Sequence, residues 1–236
     1  MVSSVNAVYD QVAELYAATF HDVRLRLFEW PWIRSRLREL APERVLDLGC
    51  GNGYLSAELV RSIPQVSAID PSEALLQHAR QRLPAHARVY HGSAESLPFA
   101  NASFDAVVSL LSFRYTDQPA AAREVARVLA PGGQLILVDF FAHCGAQRKW
   151  DRLRTWTAVA ARAQMLARPR YTTRLWRLTR DPAWRSMVAS HPRRSATEAD
   201  AALGAVLEAV ENRRLSSTGK GETRGLCYRR TTAAHR

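Results

Sequence analysis

Apolar residues recur at helical spacing near the start of the chain and crowd into short, nearly continuous runs beyond position 44. Val5, Val8, Val12 and Leu15 predict an amphipathic opening helix. Pro31, after Trp30, suits the first turn of a second helix that carries Ile33, Leu37 and Leu40 toward a core. The runs then begin: VLDL from 45, VSAID ending at 70, ARVYH at 87–91, FDAVVSL at 104–110 and QLILVDF at 134–140. Helical stretches separate them, one of them at about 118–130 and closed by Pro131, Gly132 and Gly133. Strands that are apolar on both sides, alternating with helices, predict a parallel sheet covered on both faces. Further on, RRLSS and RGLCYRR flank residues 218–222 and read as a hairpin.

Residues 45–56 read VLDLGCGNGYLS: an apolar strand holding Asp47 runs into Gly49, Gly51 and Gly53. Glycine lets the backbone turn tightly and approach a ligand with no β-carbon in the way. A helix expected to open near Tyr54 would aim its unpaired N–H groups into that turn. The second strand ends in Asp70, where nucleotide folds keep a ribose-binding acid. Both aspartates would also serve as helix caps. A dinucleotide fingerprint spaces its glycines as G-x-G-x-x-G. Here the third glycine falls one residue early, with Tyr54 in the usual place. Asp47 would also face two phosphate charges at short range, which is unfavourable. S-adenosylmethionine offers an ammonium and ribose hydroxyls without phosphate, so it suits these residues better than a dinucleotide.

Four blocks in order complete the pattern: VLDLGCGNG, IDPSEALLQHAR, HGSAESLPFANASFDAVVS and EVARVLAPGGQLILVD. Over about residues 40 to 140 the chain resembles a class I S-adenosylmethionine-dependent methyltransferase of the ubiquinone/menaquinone-biosynthesis type. The resemblance implies a Rossmann-like α/β fold: a seven-stranded, mainly parallel sheet with an antiparallel terminal strand, and a helical insertion after strand five. It divides the chain into an N-terminal helical cap (1–40), a cofactor-binding core (41–143), a helical substrate lid (144–211) and a terminal hairpin completing the sheet (212–236).

The same resemblance implies a set of cofactor contacts. The backbone of Gly49, Cys50 and Gly51 would hug the methionine part, and Asp47 would reach its amino end directly or through water. Asp70 would accept from both ribose hydroxyls, with Pro71 following it and Leu75 packing on the nucleoside. Ala94 and Glu95 would edge the adenine. Leu110 would line the floor, and Tyr16 would close over the cofactor. Ser93 stands where the family often has an acid, so adenine anchoring is expected to be weaker. Cys50 needs only a small side chain, and a redox role is not expected.

Trp150, Leu153, Trp156, Val159, Leu166, Leu175, Trp176, Trp184 and Met187 give residues 144–211 a bulky, mainly helical character. An insertion leaving strand five overhangs the ligand end of the sheet, hence the lid. Methyl transfer from a sulfonium is an in-line displacement in which positioning does much of the work. His143, past strand five, is the residue expected to accept a proton if the nucleophile needs a base, ahead of His21. Packing or exposure is the plainer reading of both histidines. Arg114 and Tyr115 would orient an acidic or phenolic acceptor, and Phe113 would offer a ring face to the sulfonium.

Charge divides unevenly along the 236 residues. Residues 1–143 carry net −2 and residues 144–236 net +13, giving +11 in all. A basic half is compatible with RNA or an acidic substrate. However, 31 of the 33 bases are arginine, as a GC-rich coding bias would also produce. The segment after strand four reads SLLSFRY rather than an N-P-P-Y-like amine grip, which argues against a nucleic-acid base as acceptor. The expected acceptor is therefore a small molecule with an O-, C- or N-nucleophile, in quinone or secondary-metabolite biosynthesis. An RNA-modifying methyltransferase and a non-methylating enzyme on the same fold remain open. Cysteines at 50, 144 and 227 have neither disulfide-like nor zinc-like spacing. No metal, secretory leader or membrane span is expected, and the expected compartment is the cytoplasm. The oligomeric state is not legible.

Overall fold

The computed structural model describes residues 2–142, 163, 166–190, 195–218 and 221–231. Two helices, α1 (Val2–Thr19) and α2 (Glu29–Leu40), precede the sheet. The core then alternates: β1 (Arg44–Leu48), α3 (Ser56–Leu59), β2 (Gln65–Asp70), α4 (Glu73–Arg82), β3 (Arg88–His91), β4 (Phe104–Leu110), α5 (Gln118–Val128) and β5 (Leu129–Phe141). The described residues continue as α6 (Pro169–Arg180), α7 (Pro182–Ser190), α8 (Ala196–Gly204), β6 (Glu208–Thr218) and β7 (Gly221–Arg229).

The seven strands lie in the order β3-β2-β1-β4-β5-β7-β6. Strands β1 to β5 pair in parallel, and β7 runs antiparallel to both β5 and β6. This is the mainly parallel sheet with an antiparallel terminal strand that the family resemblance implies. The strand order reverses between β1 and β4, where Leu46 pairs with Val107. Ligands in open α/β sheets bind at such a switch point, beyond the carboxyl ends of the strands.

Successive strand residues point to opposite faces, and both faces are dry. On one side Leu46, Val107, Leu135 and Leu137 pack with Ala121, Ala122 and Val125 of α5. On the other, Val45, Val108, Ile136 and Val138 pack with Trp32, Ile33 and Leu37 of α2 and Val12 of α1. Helix α5 starts where the side chain of Asp117 accepts from the N–H of Ala120, with Pro119 in its first turn. Ser72 caps α4 in the same way, accepting from the N–H of Leu75.

Three expected boundaries move. Helix α5 ends at Val128 rather than 130: Leu129 already pairs with Phe104 and the next pair is Gln134 with Ala106, so residues 130–133 bulge out of the ladder. The first βα helix opens at Ser56, not Tyr54, and is a single four-residue turn. The hairpin begins at Glu208, four residues before the expected 212, because β6 pairs with the full length of β7. Among the described residues no helix is long and apolar enough to cross a membrane.

Within the expected lid, the described helices pack in two places. Helices α6 and α7 pack against α1. Helix α8, also inside 144–211, buries Ala199 and Leu203 in the α5-side core with Leu129 and Tyr228. That part belongs to the body. Trp150, Leu153, Trp156 and Val159 lie outside the described residues.

Candidate functional site

Strand β1 delivers the chain to a turn in which Gly49, Gly51 and Gly53 all have positive φ, at 75°, 54° and 73°. That conformation is costly for any residue with a β-carbon. The three glycines face different neighbours. A β-carbon on Gly49 would meet Oγ of Ser112 at 2.3 Å, whereas one on Gly53 would meet Ala79 of α4 at 3.0 Å. At Gly51 the nearest atoms are Cε1 of Tyr16 at 3.7 Å and Cδ1 of Leu75 at 3.8 Å, so this glycine opens onto a cavity.

Asp70, at the end of β2, is buried beside the turn. Its carboxylate accepts from the Gly51 N–H at 2.8 Å and from the Ser72 N–H at 2.9 Å. Burial raises its pKa to about 6, against the opposing pull of those two amides. The glycine-turn amide that would meet a phosphate is thus already engaged by a carboxylate. With only a four-residue helix behind the turn, the site has little to offer a pyrophosphate.

The cavity encloses about 790 Å³ of empty space, its open mouth included. Ten of the residues expected at the cofactor line it: Tyr16, Gly49, Gly51, Asp70, Pro71, Leu75, Ser93, Ala94, Glu95 and Leu110. Helix α1 is tied down above it at its middle and just past its end. The hydroxyl of Ser72 donates to Asp10 at 2.6 Å, and Nδ2 of Asn52 donates to the carbonyl of Phe20 at 2.7 Å.

Two expected residues stand elsewhere. Asp47 is not in the cavity wall: it lies beneath the turn, fully buried, and accepts from the hydroxyl of Ser56. Burial pushes its pKa up to about 7; the Ser56 bond opposes this and the nearby Asp70 charge adds to it. The side chain of Cys50 turns away into an apolar cluster with Ala68, Leu76, Ala79 and Leu83, while its N–H donates to the carbonyl of Ile69. The reversal of direction at Gly49 and Gly51 points the side chain of residue 50 into the core and leaves only its backbone at the turn. His143 lies outside the described residues.

Sequence reasoning passed over Tyr9, Ser109 and Ser112, which also line the cavity. Ser112 Oγ donates to the carbonyl of Leu48 at 2.8 Å and lies 2.8 Å from the hydroxyl of Ser109, joining the ends of β1 and β4. Leu111 before it has φ 62°, a strained conformation for leucine. Asp139 of β5 holds this loop. Its carboxylate accepts from the Arg114 N–H at 2.8 Å and from the Arg114 guanidinium at 3.1 Å. Arg114 in turn donates to the Tyr115 hydroxyl at 3.0 Å. No local pattern marks these residues, because each depends on a partner across the sheet.

A second cavity adjoins the first and shares Tyr9, Tyr16, Leu111 and Tyr115 with it. Its other walls are Phe20, Arg26, Glu29, Arg114, Phe140, Trp184, Val188 and Thr223. The ring of Tyr9 stands edge-on to Tyr16, Tyr115 and Trp184 at centroid distances of 5.4, 6.1 and 5.9 Å. The arrangement is two chambers separated by aromatic rings, with the glycine turn in the first and α7 roofing the second.

A family model described as a methyltransferase domain matches residues 45–133. The demethylmenaquinone methyltransferase of Clavibacter sepedonicus is 37% identical over 142 residues, covering 58% of this chain and 58% of that protein. A malonyl-acyl-carrier-protein O-methyltransferase of Erwinia pyrifoliae is 45% identical over 94 residues, covering 39% and 36%. The chain thus spans less than two thirds of the length of these curated relatives. Among solved structures, the geranyl diphosphate C-methyltransferase of Streptomyces coelicolor superimposes with a TM-score of 0.57 at 14% identity, over 80% of this chain and 71% of that one. At that identity the likeness speaks for the fold alone.

Proposed function

We propose that this protein, whose residues 45–133 match a methyltransferase domain, transfers a methyl group from S-adenosylmethionine to a small-molecule acceptor. The observation that carries this reading is the engagement of the Gly51 N–H by the Asp70 carboxylate in the wall of the first cavity. A carboxylate at the glycine turn repels phosphate yet has lone pairs left to accept from ribose hydroxyls. The residues present fit the cofactor: Gly51 leaves space for it, Leu75 and Ala94 offer apolar contact, and Glu95 and Ser93 offer polar edges.

When bound, S-adenosylmethionine supplies an electrophilic methyl on a positive sulfur. This chain's residues would then do three things. Gly49 and Gly51 admit the methionine portion, and Asp70 fixes the ribose. The rings of Tyr9, Tyr16 and Tyr115 stand between the chambers, excluding water and presenting π-faces and phenol oxygens to a cation. The second chamber would hold the acceptor in line with the methyl. His143, two residues past β5, is the residue proposed to take a proton where the nucleophile is weakly acidic. Asp47 acts on the cofactor only through the turn it supports.

The demethylmenaquinone and malonyl-acyl-carrier-protein methyltransferases are named for acceptors other than nucleic acid, which supports a small molecule, in quinone or secondary-metabolite biosynthesis. Incubating the protein with methyl-labelled S-adenosylmethionine and a cell extract tests the proposal. Label should enter the low-molecular-mass fraction and disappear with Asp70→Ala. Label confined to RNA, or bound cofactor with no transfer, would overturn it.

A further inference from the structure

Arg26 follows a short 3-10 turn (Val23–Leu25) and places its guanidinium on the wall of the second chamber. Its carbon centre lies 4.7 Å from the centroid of the Phe20 ring, so its long side chain is held by stacking rather than left free. Its polar neighbours are the phenol of Tyr54, a neutral group, and the carboxylate of Glu29, whose charge acts on it from beyond ion-pair distance. Among the described residues no carboxylate comes within ion-pair distance of it.

The other charges on this wall are Glu29 and Arg114. Arg114 is committed to Asp139, which is 1% exposed and not part of the lining. Glu29 faces the same space from beyond ion-pair distance and accepts from the Phe28 N–H. With Arg114 neutralised by Asp139, the wall's remaining charges are Arg26 and Glu29, and the Arg26 guanidinium makes no close ion pair with that carboxylate. A guanidinium preset by stacking and facing an aromatic chamber, its donors not taken up by a close carboxylate, is a docking point for a planar anion.

Resting on the methyltransferase reading, we propose that the acceptor carries a carboxylate, which Arg26 binds, on an apolar or aromatic body seated among Phe20, Phe140 and Trp184. Arg26 is then the residue that sets acceptor specificity, while Gly51 and Asp70 in the first chamber hold the cofactor. The carboxylate would anchor the acceptor at the far wall and turn its nucleophile toward the rings shared by both chambers.

Benzoate and benzamide, equal in shape and different in charge, serve as probes in calorimetric titrations of the protein loaded with S-adenosylhomocysteine. Wild type should bind benzoate about ten-fold more tightly than benzamide, the worth of one charge-assisted contact. Arg26→Gln should erase the preference, and Arg26→Lys should keep part of it. Equal binding of the two probes to wild type, or a preference that survives in Arg26→Gln, overturns the proposal. If Arg26→Gln fails to fold, as loss of S-adenosylhomocysteine binding would reveal, the wild-type and Arg26→Lys titrations decide. A wild-type protein that does not bind S-adenosylhomocysteine refutes the methyltransferase reading instead, and the benzoate comparison on the unloaded protein still tests Arg26.

Discussion

The backbone N–H of Gly51 donates to the carboxylate of Asp70 at 2.8 Å, joining the turn after β1 to the end of β2. The same carboxylate holds the Ser72 N–H, so one buried acid braces both loops at the mouth of the first cavity.

Asp70→Ala removes that brace and the proposed ribose acceptor together. Affinity for S-adenosylmethionine should fall by about 1.5–3 kcal/mol for each charged hydrogen bond lost. Calorimetry checks this, and unchanged affinity would contradict the assignment. Because burial raises the Asp70 pKa to about 6, wild-type affinity should also weaken as the pH drops below that value and the carboxyl gains a proton.

Asp47 has a folded-state pKa pushed up to about 7, mainly by burial. An acid whose pKa is raised on folding binds more protons in the native state between its unfolded value and its folded one. Its contribution to stability is therefore greatest at low pH and is lost as pH rises from about 4 to about 7, with a slope approaching about 1.4 kcal/mol per pH unit. Asp47→Asn should remove this slope from the variant's own unfolding free energy, so the difference between variant and wild type should change with pH across that window. A difference that stays flat across that window would show that the carboxyl titrates normally.

Gly49→Ala and Gly51→Ala should differ although both glycines have positive φ. Each pays about 1–2 kcal/mol for a left-handed alanine. Gly49→Ala adds a clash with Ser112, whose hydroxyl is fixed by Leu48 and Ser109, at a cost of about 1–3 kcal/mol more. Denaturant unfolding of the two variants measures the gap. Equal losses would mean that Ser112 can move aside.

Asp139→Ala leaves the Arg114 guanidinium without its carboxylate and frees the Arg114 N–H. The expected loss is about 3–5 kcal/mol, the usual result of removing one member of a buried pair. The double variant Asp139→Leu with Arg114→Met should recover much of that stability while leaving the loop at 111–116 misplaced for turnover. A double-mutant cycle in unfolding free energy reads the coupling, and additive losses would argue against a pair acting as a unit.

Much of this protein is written in local order along the chain. The period of the apolar residues determined the alternation of strand and helix, and the glycines at 49, 51 and 53 determined a turn, because both follow from sterics within a few residues. That turn and the acid at the end of β2 were enough to place the first cavity at the switch point of the sheet. Side-chain direction inside the turn was not determined locally. Residue 50 points into the core and Asp47 turns to Ser56 because the backbone reverses there and the partners arrive from α3 and α4.

The second chamber is a wholly tertiary product. Tyr9 comes from α1, Tyr115 from the loop after β4 and Trp184 from α7, and nothing in their spacing reveals that the rings meet. The same holds for α8, which follows α6 and α7 in the chain but whose Ala199 and Leu203 fill the opposite core. Contacts between residues far apart in sequence cost chain entropy and form only when the assembled sheet brings both partners to one place. Local pattern therefore determined the glycine-lined cleft, whereas tertiary packing decided which charges, those of Arg26 and Glu29, would line the second chamber.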